Sequence, residues 1–262
     1  MSSASSILGP GDAGYPQRLS TLEIAATLHI RGQLDDGPAV AIVGARAASH
    51  QGTERAHAIA KHITAAGVRV VSGGAIGIDG AAHRGAVRRT TVVLGSGIDV
   101  LYPARHAALF EQIVSAGGAL VSMFPRGMQP RAGTFIKRNA LISALADAVL
   151  VVEADVRSGS LSTARAAREQ GRPLAAVPGS PGCAQLLATG AALVETGVDV
   201  LALLAGRPRY PAPPVLDETA TRVRDAIAAG ARGIDAIVRH TGLSVRAVLR
   251  ALPQLESSAR LQ

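Results

Sequence analysis

The chain has few of the residues and segments that mark particular protein classes. Cys183 is the only cysteine among 262 residues, which excludes an internal disulfide framework and a CxxC metal site. Apolar runs such as 148–152 are far shorter than the roughly 18 residues that a membrane-spanning helix requires. Residues 1–14 lack the basic start and apolar stretch of a secretory signal. We therefore expect a cytoplasmic protein with no membrane partner.

Signatures of common enzyme classes are also missing. Neither Lys61 nor Lys137 stands in a Gly-Lys-Ser/Thr sequence, which argues against a P-loop NTPase. The sequence contains no GxSxG nucleophile elbow and no HExxH metal motif. A glycine-rich turn at 73–77 does not follow the first strand with GxGxxG spacing, which argues against a nicotinamide site. We expect no catalytic residues, no metal and no cofactor.

What the chain has is basic charge, with a formal net charge of +8. Residues 207–262 carry 9 basic and 5 acidic residues, so half of the excess lies in this short tail. Aromatic residues make up only 2% of the chain. A basic surface favours a polyanionic partner, and a solvated surface without a partner is the simpler alternative.

Apolar runs alternate with helical patterns from residue 39 onward. Strands are predicted near 39–44, 68–72, 91–94, 119–122, 148–152 and 173–177, and helices near 52–66, 81–88, 107–116, 137–145, 161–170 and 184–188. The strands are continuous runs of Val, Ile, Leu and Ala, which indicates burial on both faces. Strand alternating with helix predicts right-handed crossovers and a doubly wound parallel sheet. A short pair at 191–194 and 198–204 completes the domain.

The predicted fold class is α/β: a doubly wound parallel sheet followed by a small C-terminal helical domain. We divide the chain into an N-terminal segment at 1–38, the sheet domain at 39–206, a Pro-rich linker at 207–216 and the tail domain at 217–262. The last domain contains helical patterns at 219–229, 234–240 and 244–252. The break at Thr241-Gly242 fits the tight turn of a helix-turn-helix.

Basic and small residues follow the predicted strands, where ligands bind in an open parallel sheet. Arg46 follows the first strand, and a glycine-rich turn that opens a helix follows the second, so its amides could hold a phosphate. Ser158 to Thr163, after the fifth strand, fits either a helix cap or a phosphate site. Asp79 and His83, one helical turn apart, fit a structural polar contact better than a catalytic pair.

The fourth strand exit is the most basic, with Arg126, Arg131, Phe135, Lys137, Arg138 and Asn139. Such a cluster repels itself unless a polyanion or nearby carboxylates neutralise it. An internal ion-pair network with Asp79, Asp99, Glu153 and Asp155 is the alternative to a ligand. A crevice of this kind suits single-stranded DNA, with phosphates on arginines and a base or two on Phe135 or on a guanidinium plane.

Ten short motifs occur together in one order. They are Tyr15-Pro16, Val43 to Arg46, Ser72 to Asp79, Ala82-His83, Gly97 with Tyr102-Pro103, Phe135 with Arg138-Asn139, Glu153, Ser158 to Ser160, Thr163, and Val177 to Gly179. Over about residues 15–206 the chain resembles the DNA-processing protein A family, DprA/Smf. The resemblance implies an extended Rossmann-like fold at 39–206 with a small C-terminal winged-helix domain at 217–262. It also implies a homodimer that binds single-stranded DNA and loads the RecA recombinase in natural transformation and homologous recombination, without catalysis.

The resemblance also implies which residues bind single-stranded DNA: Arg46, Ser72, Gly73, Gly77, Phe135, Lys137, Arg138 and Asn139, with Ser158, Gly159 and Ser160 nearby. The chain departs from the family pattern at Gly74, Met123, Ala140 and Ala184, which affects the expected phosphate contacts. Too few residues precede Tyr15 for the helical domain that many members carry there, so we expect that domain to be absent.

The tail resembles the winged-helix domain of many members, with a short finishing strand expected after Leu255-Glu256. Arg246 and Arg250 lie four residues apart and share a face of the predicted recognition helix. This face could contact duplex DNA or dock a partner protein. Two alternative functions remain: a phosphoribohydrolase-like nucleotide-processing enzyme, whose Pro-Gly-Gly-x-Gly-Thr motif is absent at Pro178-Gly179-Ser180, and a duplex-binding regulator acting through the tail.

Overall fold

The computed structural model describes residues 5–22, 26–212 and 216–259. It contains two compact units, one formed by Met1–Leu187 with Ala191–Arg209 and the other by Ala188–Gly190 with Tyr210–Gln262. Residues 1–4 and 23–25 of the predicted N-terminal segment, 213–215 of the predicted linker and 260–262 of the predicted tail domain lie outside the described residues. The domain boundaries drawn from the sequence remain predictions.

The first unit is built on a nine-stranded sheet in the described residues. Its strands are β1 Ser5–Leu8, β2 Leu28–Gly32, β3 Ala39–Val43, β4 Arg69–Gly73, β5 Thr90–Val93, β6 Ala119–Ser122, β7 Ala148–Val151, β8 Leu174–Ala176 and β9 Ala192–Leu193. The order across the sheet is β1-β2-β6-β5-β4-β3-β7-β8-β9. From β6 to β9 all neighbours are parallel, whereas β1 and β2 are antiparallel. The parallel sheet is as predicted, and the antiparallel edge is an addition.

Helices cover both faces of this sheet. They are α1 His50–Ala65, α2 Ile78–Gly85, α3 Ala107–Ser115, α4 Ala132–Ala144, α5 Ser160–Glu169, α6 Pro181–Ala188 and α7 Gly197–Leu204. Ala39, Ala41 and Val43 of β3 pack in the core that α4 and α5 cover, whereas Val40 and Ile42 pack beneath α1 and α2. Burial on both faces explains the uninterrupted apolar run. In the described residues no helix is both long and apolar enough to cross a bilayer.

The strand order reverses between β3 and β7. From β3 the chain moves outward through β4, β5 and β6, and then returns to place β7 on the other side of β3. The Ala45 amide donates to the Glu153 carbonyl at 2.7 Å, which joins the two strand exits. After this bond the segments that follow β3 and β7 turn to opposite faces of the sheet, so a crevice opens at its carboxyl edge.

The described residues of the second unit form three helices: α8 Glu218–Ala228, α9 Ile234–Thr241 and α10 Val245–Ala259. They enclose a small core that includes Val223, Ile237 and Val248. Gly242, with a φ of +67°, forms the turn between α9 and α10. The expected finishing strand is wrong, because Leu252 and Leu255 continue the apolar stripe of α10 and the helix runs on to Ala259.

Candidate nucleic-acid interface

A cleft of about 750 Å³ opens where the strand order reverses. We call it the rim cleft. The exits of β3 and β7, the glycine-rich turn before α2 and the first turns of α4 and α5 line it. Its lining includes Gly44, Arg46, Ala75, Asp79, Phe135, Arg138, Asn139, Asp155, Arg157, Ser158, Gly159, Ser160 and Thr163.

Arg46 is exposed and lies above the aromatic ring of Phe135. The guanidinium carbon is 5.2 Å from the ring centre, within the range of a cation–π contact. Gly44 allows the chain to reach this position, since a Cβ there would lie 2.6 Å from the Ile78 side chain and 2.8 Å from the Glu153 carbonyl oxygen. The structure thus places Arg46 in the cleft, as the sequence predicted.

Two residues predicted to contact DNA are instead buried at the end of β4. The Ser72 hydroxyl donates to the Ile42 carbonyl at 2.5 Å, and Ser72 is fully buried. A Cβ on Gly73 would lie 2.5 Å from both Arg138 Nη1 and Asp79 Oδ2. These residues therefore support the cleft from inside, and their contact with DNA stays a prediction.

Gly77 shapes the glycine-rich turn. Its φ is +79°, a region that favours glycine, and a Cβ there would overlap the Ala45 carbonyl oxygen and lie 2.6 Å from that of Arg46. The Ile78 amide donates to the Ala45 carbonyl at 3.2 Å. The turn is therefore pressed directly against the Arg46 segment, and Gly77 itself does not line the rim cleft.

Asp79 and Arg138 are both buried at the base of the cleft, and the charge of each favours the charged form of the other. Burial raises the pKa of Asp79 to about 6, although Arg138 and the Ala75 amide oppose this shift. Burial lowers the pKa of Arg138 to about 10, and Asp79 opposes that change. Arg138 Nη1 donates to the Val93 carbonyl at 2.5 Å. Arg138 is therefore held inside the protein by the Val93 carbonyl and by the charge of Asp79.

His83 has a structural environment. Its Nε2 lies 2.8 Å from the Gly73 carbonyl oxygen, and its Nδ1 lies 2.8 Å from Thr90 Oγ1. Because the Gly73 carbonyl oxygen can only accept a hydrogen bond, Nε2 carries the hydrogen in this contact. Burial lowers the pKa of His83 to about 4, so the ring is neutral at pH 7. These contacts support the structural interpretation of the Asp79 and His83 pattern.

Helix α4 presents one face to the cleft. Phe135, Arg138, Asn139 and Ile142 follow helical spacing on this face, and all four line the cleft. Thr134 anchors the helix start by donating its hydroxyl to the Gly95 carbonyl at 2.6 Å. Lys137 is exposed but does not line the cleft, because two helical steps place it about 200° around the axis from Phe135. The contact of Lys137 with DNA stays a prediction.

The start of α5 forms the wall opposite α4. Ser158 Oγ lies 2.7 Å from Ser160 Oγ, and both residues line the cleft with Gly159. Asn139 joins the two walls, since its Nδ2 donates to Ser162 Oγ at 2.6 Å and to the Gly159 carbonyl at 3.3 Å. Arg157 is exposed and lines the cleft, but it was not among the residues predicted to bind DNA. Its position just after a predicted strand could have identified it.

The other charged residues considered from the sequence have local roles. Glu153 accepts hydrogen bonds from the Ser49 amide at 3.0 Å and the Ser49 hydroxyl at 2.6 Å, at the N-terminus of α1. Asp99 lies 3.8 Å from Arg126, an ion pair of the predicted network. Neither Arg126 nor Arg131 lines the rim cleft.

A smaller depression of about 180 Å³ adjoins the cleft behind Phe135. Tyr102 and Arg105 line it and were absent from the predicted site, although Tyr102 belongs to a motif of the resemblance. The ring centres of Tyr102 and Phe135 are 5.9 Å apart. Gly74 also lines it, and a Cβ there would lie 2.7 Å from Phe110 Cζ. Phe110 thus fills the space that a larger residue at position 74 would need.

In the second unit, Arg246 and Arg250 are exposed on α10. Val245 and Leu249 share this outer face, and each is about half exposed. The predicted face therefore exists, and it combines cations with apolar side chains.

Comparisons with known proteins agree with this architecture. A family model described as DNA recombination-mediator protein A matches residues 6–205, and one described as the DprA winged helix domain matches residues 207–257. A putative DNA processing protein DprA of Mycobacterium tuberculosis is 42% identical over 236 residues, covering 83% of this chain and 60% of the relative. Protein Smf of Escherichia coli is 41% identical over 205 residues, covering 73% and 55%. The chain thus spans somewhat more than half the length of these relatives.

Two solved structures share the fold. The X-ray structure of DprA from Streptococcus pneumoniae has a TM-score of 0.70 at 38% identity and covers 75% of this chain and 73% of its own. A Helicobacter pylori DprA structure, described for its single-stranded DNA binding mode, has a TM-score of 0.71 at 27% identity and covers 79% and 98%. The predicted fold class, Rossmann-like with a C-terminal winged helix, is confirmed. The chain belongs to the DNA-processing protein A (DprA/Smf) family.

Proposed function

We propose that this DNA-processing protein binds single-stranded DNA in the rim cleft. The observation that carries the proposal is that two exposed arginines, Arg46 and Arg157, line one cleft with Phe135 at the carboxyl edge of the sheet. Family membership supports it, as does the single-stranded DNA binding described for the Helicobacter pylori relative.

The chemistry of the cleft suits a flexible strand. Guanidinium groups match phosphate oxygens in a bidentate manner, and the first-turn amides of α5 offer further donors to an anion. The plane of Arg46 above Phe135 gives a base a surface on which to stack. With few aromatic residues, backbone contacts dominate, so we expect weak sequence preference.

The proposal extends to partners. DNA held by its phosphates leaves bases accessible to a recombinase, so we propose that a homodimer of this chain loads RecA in the cytoplasm, in homologous recombination and natural transformation, without catalysing a reaction. RecA assembly on a single strand should be faster with the wild type than with Arg46→Ala. Release of free base from nucleoside monophosphates would instead support the nucleotide-processing alternative.

The binding site is tested with Arg46→Ala in the full chain. Affinity for oligo-dT and oligo-dA should fall alike, because a phosphate contact is lost. The slope of log K against log salt should decrease by about 0.7. Arg165→Ala is the control, since Arg165 is exposed, pairs with Glu169 at 3.6 Å and lies outside the cleft. Equal binding by Arg46→Ala and the control would show that the cleft is not the DNA site.

For the tail, the exposed Val245 and Leu249 beside Arg246 and Arg250 favour a protein partner over duplex DNA. Loss of duplex binding in the Arg246→Ala/Arg250→Ala variant, with oligo-dT binding intact, would favour the duplex instead.

A further inference from the structure

A second basic groove, of about 590 Å³, lies at the opposite edge of the same sheet. The ends of α1 and α2 and the segment that leads into β5 line it. We call it the amino-edge groove and define it by Asp35, Lys61, Thr64, Arg84, Arg88 and Arg89. Arg89 immediately precedes β5, so the groove lies where the parallel strands begin, whereas the rim cleft lies where they end.

The groove has an excess of positive charge. Four of its lining residues are basic, and Asp35 is its one acidic residue among the described residues. The Asp35 carboxylate is already engaged by the Gly37 amide at 2.9 Å, Arg69 Nε at 3.8 Å and Arg89 Nη2 at 4.0 Å. Lys61, Arg84 and Arg88 form no ion pair with any carboxylate in the described part of the chain.

A buried cation adds to this excess. Arg69, 2% exposed, shares Asp35 with the groove, and its Nε and Nη2 have no hydrogen-bond partner in the described residues. Its Nη1 donates to Thr91 Oγ1 at 3.1 Å. The single carboxylate is therefore divided between Arg69 and Arg89, and the outer cations of the groove remain without a counter-charge.

Close helix packing holds these cations together. Gly85 lies against α1, and a Cβ there would overlap the His57 carbonyl oxygen and lie 3.1 Å from Ala60 Cβ. The C-terminal halves of α1 and α2 therefore run side by side. The partial negative charge of a helix C-terminus stabilises nearby cations, and Arg84 lies in the last turn of α2.

We propose that the amino-edge groove binds the sugar-phosphate backbone of DNA, as a second contact beyond the rim cleft. Arginine side chains match phosphate oxygens, and the described lining contains no aromatic residue on which a base could stack. The groove therefore recognises backbone alone. The five residues of β4, about 16 Å, separate the two edges of one rigid sheet, so a single chain can hold two DNA segments at once.

The first test compares two triple variants of the full chain that remove equal charge. Lys61→Ala/Arg84→Ala/Arg88→Ala alters the groove, and Arg165→Ala/Arg224→Ala/Arg232→Ala alters exposed arginines elsewhere. The groove variant should bind long poly-dT or a long duplex at least tenfold more weakly than the control variant. Its salt slope should be lower by about 2 on a single strand. If the groove variant loses affinity for only one of the two ligands, that ligand shows whether the groove binds single-stranded or duplex DNA.

The second test uses the wild type and does not depend on how a variant folds. Lys61 and Lys137 are the chain's two lysines, so acylation read by mass spectrometry reports on each. Long poly-dT or duplex should protect Lys61, and an oligo-dT short enough to occupy only the rim cleft should not.

Two results would overturn the groove proposal: equal binding of both long ligands by the two triple variants, or displacement of poly-dT from the groove by poly-glutamate of equal charge. The second result would indicate an acidic polypeptide as the ligand. The short oligo-dT separates this proposal from the rim cleft, because its binding depends on Arg46 and not on the groove cations.

Discussion

The guanidinium of Arg46 lies 5.2 Å from the centre of the Phe135 ring, and it reaches this ring from a different strand exit. Arg138 approaches the same ring at 5.8 Å. One aromatic side chain thus organises two cations that the chain places 92 residues apart at Arg46 and Arg138. Because cations are attracted to ring faces, Phe135 holds these donors in the cleft despite their mutual repulsion.

Replacing Phe135 by leucine should weaken oligo-dT binding about tenfold, because a stacked base contributes about 1–3 kcal/mol. The salt slope should change little, since no phosphate contact is removed directly. Fluorescence anisotropy at several salt concentrations measures both quantities. Tyr210→Leu is the control, as Tyr210 is an exposed aromatic residue outside the cleft. A large fall in slope with unchanged affinity at low salt would contradict a stacking role.

Gly77→Ala should destabilise the first unit by roughly 2–4 kcal/mol, because a positive φ costs 1–3 kcal/mol and the new Cβ overlaps the Ala45 carbonyl. Urea unfolding followed by circular dichroism gives the free energy. Gly133→Ala is the matched control, since a Cβ at this helical position meets nothing within 4 Å. Alanine is favoured over glycine in a helix, so the control should be neutral or slightly stabilising.

Asp79 and His83 should affect the pH dependence of stability in opposite directions. The folded pKa of Asp79, about 6, is above its ordinary value of 3.8, so its contribution is present at low pH and is lost as pH rises to about 6. The folded pKa of His83, about 4, is below its ordinary value of 6.5, so its contribution is present above 6.5 and is lost as pH falls to about 4. Each effect is about 3 kcal/mol, and in the wild type they largely cancel.

Single variants separate the two effects. Relative to the wild type, the unfolding free energy of Asp79→Asn should rise between pH 4 and about 6.5, because the variant keeps His83 without the opposing Asp79. That of His83→Gln should fall relative to the wild type between pH 4 and about 6, because the variant keeps Asp79 without His83. Urea unfolding at half-unit pH steps measures both curves, with the wild type as reference. Parallel curves for the two variants would show that burial does not shift these groups as described.

Arg157 and Lys137 should differ in their effect on DNA binding. Arg157→Ala should reduce the salt slope for oligo-dT by about 0.7, because Arg157 lines the rim cleft. Lys137→Ala removes the same charge from an exposed position outside the cleft and should leave the slope unchanged. The reverse result would mean that the strand crosses the outer face of α4 and not the cleft.

The sequence alone determined the parallel sheet, the helices between its strands and the edge at which Arg46, Phe135 and Ser158 meet. These features follow from local periodicity and from the rule that parallel strand exits share one edge. The antiparallel strands β1 and β2 were missed, because β2 buries only alternate residues and gives a short, weak signal.

Tertiary structure decided which residues face the cleft. Ser72 and Gly73 belong to the same turn as Ala75, but packing against Ile42 and Arg138 buries them. The position of Lys137 around the axis of α4 places it outside the rim cleft. Close packing of α1 against α2 at Gly85 brings the cations of the amino-edge groove together. The burial and orientation of these side chains depend on contacts between residues far apart in the chain, so local sequence patterns do not specify them.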